Sequence, residues 1–231
     1  MKKPQIREYE MLLRLRTFGA AHGVTFAATS DAGFLFSELD ATLDRLQTHI
    51  VGQAVGRNAT RDGGLAKRAA RTHLRASLLT LGRMARIAAA DTPKSETSFT
   101  VPQTHCDQRL LAGARAFVQE AATLRDRFVA HHLPLAILED GIAAVEAFKT
   151  AIGSHVAAKD SRIAATAGIR ETLARASLIA EKLDLVIGKQ FQGDPGRLAE
   201  WRSALHVVKV AQSDASAPEP VHLVPPAEKA A

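Results

Sequence analysis

Apolar residues in this chain recur at steps of three and four, segment after segment. Leu39, Leu43, Leu46, Ile50 and Ala54 draw one such stripe, and Ala70, Leu74, Leu78, Leu81, Ala85 and Ala88 a second. Leu110, Ala114, Phe117, Ala121, Leu124 and Phe128 follow, then Leu138, Ile142, Val145, Phe148, Ile152 and Val156, then Ile169, Leu173, Ala176, Ala180, Leu183 and Ile187. That spacing places each set on one face of a helix and on no single face of a strand. Aromatic residues make up only 5% of the chain, and runs of β-branched residues are scarce. The expected fold class is all-α.

The two halves of the chain share a grammar. Arg-Ala-Ser-Leu occurs at 75–78 and again at 175–178. Phe18 matches Phe117, and Leu43, Leu46, Thr48, Ile50 and Ala54 match Val145, Phe148, Thr150, Ile152 and Val156. The separations stay close to one hundred residues, as in a tandem duplication. The predicted architecture is an antiparallel bundle of two three-helix units, 1–102 and 103–210, with a disordered Pro/Ala/Ser-rich tail at 211–231. Four long helices are expected at about 33–57, 65–90, 135–158 and 161–191, with turns at Gly63-Gly64 and at "AKDS" (158–161). Shorter segments near 6–28 and 105–132 pack beside them; "MLLRLR" in the first alternates like a strand, yet "EYEMLLRLRTFGAAH" also reads as a helix.

Local signals mark the ends. Asp31 is a candidate N-cap, and Thr104 to Asp107 fits a capping box. Pro134 suits a first helical turn, and "DTPKSETSFTVPQ" reads as a polar loop. Gly193 suits a C′ position, while Asp194 and Pro195 open a short helix through Trp201, the expected structural anchor of the C-terminal segment.

Catalytic and metal-binding signatures are missing. The sequence has no G-x-S-x-G, P-loop or G-x-G-x-x-G motif, and no His-x-x-x-His pair. Its one Glu-x-x-His match, Glu219 to His222, falls in the Pro-rich tail, where no helix aligns the two groups. Cys106 is the only cysteine, so an internal disulfide is impossible; its neighbour His105 points about 100° away on a helix and makes no dyad with it. Glu139 and Glu146, seven residues apart, read as a bundle-edge pair. No catalytic residue, metal or cofactor is expected. Arg14 and Arg16 interrupt the N-terminal apolar stretch, and no apolar run approaches the ~20 residues of a membrane span, so a cytoplasmic protein is expected.

One charge feature stands out. Arg57, Arg61, Lys67, Arg68, Arg71, Arg75, Arg83 and Arg86 fall within 57–86 against Asp62 alone. This stripe is either a solvated bundle face, neutralised by neighbouring helices, or a phosphate-binding surface.

"DPGRLAEWRSALHV" at 194–207 resembles an Asp-Pro-x-x-Leu-Ala-x-Trp-x-Ser-Ala-x-His-Val pattern of a family of bacterial helical proteins, and "MLLRLRTFGAAH" is similar to the N-terminal stretch of that family. The resemblance implies a bacterial source and a helical fold, with no catalytic residues to transfer. The function expected from the sequence is a non-enzymatic structural or interaction module that binds a protein partner or a second copy of itself. The alternative is a nucleic-acid-associated protein using the 57–86 stripe.

Overall fold

The computed structural model describes residues 1–23, 25–27, 29–89 and 99–207; most of the polar loop and the 211–231 tail lie outside the described residues. Among the described residues there is no strand. The helices are α1 (Lys3–Ala21), α2 (Asp31–Ala88), α3 (Asp107–Ala122), α4 (Arg125–Ala130), α5 (Ala136–Gln190) and α6 (Pro195–Leu205). With 58 and 55 residues, α2 and α5 dominate the molecule, each about 85 Å long at the usual helical rise. They run antiparallel along their whole length. Glu38 pairs with Arg175, Gln53 bonds Thr166, Gly63 faces His155, and Leu81 packs on Gly141.

Two hydrophobic cores sit at opposite ends of this pair. The first joins α1, the N-terminal half of α2, the C-terminal half of α5 and α6; the second joins the C-terminal half of α2, α3, α4 and the N-terminal half of α5. Each core therefore takes a short helix, the start of the long helix that follows it, and the end of the other long helix. Between Leu46 and Leu74 on α2, and between Phe148 and Ile169 on α5, no apolar side chain is buried. This neck of two helices is held by small residues. An added Cβ on Gly56 would stand 3.1 Å from the Arg162 Cα, and one on Gly63 would stand 3.3 Å from the His155 Cα. His49 lies against Gly168 in the same manner, with its ring where a Cβ would be.

The four long helices expected from the sequence are thus two. Gly63-Gly64 is helical, and no described glycine has a positive φ. Two helical glycines cost about 1 kcal/mol each relative to alanine, too little to break a helix packed at both ends. The missing side chains instead make room for His155. "AKDS" contains no glycine or proline and stays helical in α5.

Burial follows most of the predicted stripe positions inside the cores and departs from them at the neck and at Ile142. Leu39, Leu43, Leu46, Leu74, Leu78, Leu81 and the whole 169–187 set are buried, whereas Ala54, Ile142 and Val156 are exposed. Met11, Leu12, Leu15 and Phe18 are buried on one face of α1, so the helical alternative for that segment holds. Phe18 lies edge-on to Trp201.

Several end signals shift. Ser30, not Asp31, caps α2, its Oγ accepting from the Gly33 N–H. Cys106 occupies the N-cap of α3, while the Thr104 Oγ1 accepts from the Cys106 N–H and Asp107 stands in the first turn. Pro134 precedes α5, which starts at Ala136. Gly193 stands two residues beyond the α5 C-cap Phe191 and has no positive φ; the left-handed residue is His132, φ 53, at the C′ position of α4. Around it the Leu133 N–H donates to the Phe128 carbonyl and the His132 N–H to that of Val129, a Schellman motif built without glycine. Asp194 caps α6 as expected, accepting from the Arg197 N–H.

The neck packing gives a paired test. Gly56→Ala pushes a methyl against the Arg162 backbone and is expected to cost about 1–3 kcal/mol in urea denaturation. Gly153→Ala meets nothing within 4 Å and is expected to stabilise by about 0.5–1 kcal/mol. Equal effects of the two changes would contradict close helix contact at Gly56.

Candidate anion-binding groove

The 57–86 basic stripe does not act as one surface. Three of its members turn inward to the start of α3. Lys67 Nζ lies 2.7 Å from Asp107 Oδ2, and Arg71 Nη1 lies 2.6 Å from Asp107 Oδ1. Arg71 also donates to the Thr104 and His105 carbonyls, and Arg75 donates to the Thr104 carbonyl at 2.9 Å. These side chains are partly buried and fasten the 104–107 segment to α2. Arg86 bonds back to the Gly82 carbonyl of its own helix. Arg57, Arg61, Arg68 and Arg83 remain exposed.

Arg57 has a different set of neighbours, which the sequence keeps far away from it. The close approach at Gly56 sets α2 against Arg162 of α5. There Gln53, Arg57, Arg162, Ile163, Thr166, Ala167 and Arg170 line a groove of about 430 Å³. Gln53 organises it. Its Nε2 donates to Thr166 Oγ1 at 3.0 Å, and its Oε1 accepts from the Met1 nitrogen at 2.8 Å, tying Met1, just before α1, to α2 and α5. No carboxylate lines the groove. Among the described residues, none of the three arginines makes an ion pair. No periodicity or motif links Arg162 and Arg170 to Arg57, because they share a groove only through the antiparallel register of α2 and α5.

The other titratable groups have ordinary structural settings. Arg16 pairs with Asp40 and Asp44, and Lys149 with Glu146, while Glu139 is exposed. His155 Nδ1 is buried without a hydrogen-bond partner, wedged against Gly63 and Gly64. Cys106 is exposed, and the backbone N–H groups of Arg109 and Gln108 hold its thiol below the ordinary pKa. Among the described residues no three His, Cys, Asp or Glu side chains gather as a metal site, and no helix is long and apolar enough to cross a membrane.

Trp201 is fully buried, and its Nε1–H donates to Asp184 Oδ1 at 2.8 Å. Arg14 reaches from α1 to the Ala204 and His206 carbonyls, and His22 to Glu200. The segment 194–207 therefore acts as a latch over the first core. No family model, curated protein or solved structure matches the chain.

Three expected outcomes follow from these contacts. Arg71→Gln removes charge-assisted bonds at the α3 start and should cost about 1–3 kcal/mol in thermal or urea unfolding, against less than about 0.5 kcal/mol for the exposed Arg68→Gln. Trp201→Ala should cost about 3–5 kcal/mol, and Trp201→Phe, which keeps a ring and loses the Asp184 bond, clearly less. Alkylation of Cys106 should show a pH midpoint below that of a free thiol, because the helix-start amides favour the thiolate. A midpoint at or above the free-thiol value would count against that electrostatic setting.

Proposed function

We propose that this chain is a non-enzymatic interaction module, a stiff two-helix strut with a packed head at each end, that associates with a second copy of itself. The observation that supports this reading best is an apolar groove of about 600 Å³ beside the first core. It is lined by Phe34 and Leu35 at the start of α2 and by Leu185 and Val186 near the end of α5, with Lys182, Ser30 and Asp31 at its edges. Phe34 is 66% exposed and Leu185 77%, the two most exposed of the large apolar side chains among the described residues. Leu178, 52% exposed, stands one heptad before Leu185 on the same face of α5. Large apolar side chains grouped on a surface favour removal from water, and each fully covered one contributes roughly 1.5–3 kcal/mol.

The like construction of the two cores supports a common origin for the 1–102 and 103–210 halves, each holding one long helix preceded by short helical structure, α1 in the first and α3 with α4 in the second. The resemblance of 194–207 to the bacterial helical family fits a latch segment and adds no chemistry. A cytoplasmic protein remains the working assignment.

Sedimentation velocity over a concentration series tests the association. The wild-type chain is expected to shift from monomer to dimer as concentration rises. Phe34→Glu with Leu185→Glu should hold it monomeric with unchanged helical circular dichroism. A wild-type chain that stays monomeric throughout overturns self-association.

A further inference from the structure

We propose that the neck groove between α2 and α5 is a phosphate-binding site formed by Arg57, Arg162 and Arg170. Three arginines, and no acidic residue, line one groove of about 430 Å³. Arginine cannot relieve the resulting repulsion by losing a proton, as lysine or histidine can. An anion bound among them offsets that repulsion, and one that binds only the folded chain stabilises it. The planar guanidinium fork matches phosphate oxygens in pairs, and a phosphate brings up to two negative charges on several acceptors. Gln53 adds polar capacity: its Nε2 gives one hydrogen to Thr166 and keeps a second.

The other basic cluster of the neck is the internal contrast. At the start of α3, Lys67 and Arg71 also converge, but Asp107 stands between them and takes both. Those cations are consumed by the fold. The groove at Arg57 is fixed equally well, by the Gly56 approach and the Gln53 bonds, yet is left without a carboxylate. Ile163 and Ala167 form an apolar wall beside the arginines.

The phosphate can belong to a small phosphorylated compound or to a nucleic-acid backbone. Two probes separate these sources: inorganic pyrophosphate, followed by calorimetry and thermal shift, and a short single-stranded DNA, followed by fluorescence anisotropy across a salt series. Binding of pyrophosphate alone assigns the small-compound source, and binding of DNA that weakens with salt, by a log–log slope of about −0.7 for each phosphate neutralised, assigns the backbone. In either case Arg57→Gln with Arg170→Gln, both exposed positions, should weaken binding at least about tenfold, and adding Arg162→Gln should abolish it. The comparison variant Arg61→Gln, Arg68→Gln, Arg83→Gln removes the same charge from the exposed stripe and should leave binding within about twofold. Circular dichroism of every variant checks that the helices persist. The proposal is overturned if neither probe binds, or if the comparison variant loses as much affinity as the groove variant.

Discussion

The close antiparallel contact of α2 and α5 across the neck is the constraint on which the rest of the molecule depends. Over some twenty residues the two helices have no buried apolar side chain between them. They are held there by the fit of Gly56 against the Arg162 backbone, of Gly63 and Gly64 against His155, and of Gly168 against His49. Helices that approach through small residues gain dispersion contacts from backbone atoms, in place of the burial of large side chains. The same contact fixes the register that brings each end of one helix to the opposite end of the other. A shift of one helical turn would misalign both cores at once.

Each core then needs a third wall, which the short helices supply. The α1 helix covers the first core with Met11, Leu12, Leu15 and Phe18, and α3 covers the second with Leu110, Leu111, Ala114 and Phe117. The first core gains α6, where Trp201 both fills volume and satisfies its one polar atom on Asp184. A buried indole without that acceptor would forfeit part of what its burial contributes. The second core gains α4 instead, with Phe128 fully buried and the chain reversed by a histidine in the left-handed region. The left-handed strain at His132 is offset by the two Schellman bonds that close around it.

Charge is distributed by the same register. Asp107 sits where Lys67 and Arg71 arrive, so two cations fasten α3 to α2. Nothing acidic sits where Arg57 meets Arg162 and Arg170. Side chains that look equivalent in a basic run thus differ in kind. Some are partly buried structural donors, some are free solvated charges, and one belongs to a groove built mostly from the other long helix.

The helical class, most of the stripe positions inside both cores and the cap at Asp194 were legible in the sequence, because each depends on residues within a turn or two of one another; Trp201 could be singled out as the lone aromatic side chain of its short helix, but its partners Phe18 and Asp184 could not. The apparent turns at Gly63-Gly64 and at 158–161 were not. Glycine is a weak local signal for a turn, and its helical cost is small beside the packing at either end of a long helix. Whether a glycine ends a helix or admits a neighbour depends on what lies opposite, and here that is His155, some ninety residues on. The exposure of Ile142 and Val156 escaped the periodicity for a like reason: a stripe marks a face, and the tertiary structure decides whether anything covers it. The division of the basic run followed the same rule. Local sequence determined that these residues are charged and helical, and only the pairing of α2 with α5 decided which charges meet a carboxylate, since Coulomb interactions act on distance in space and not along the chain.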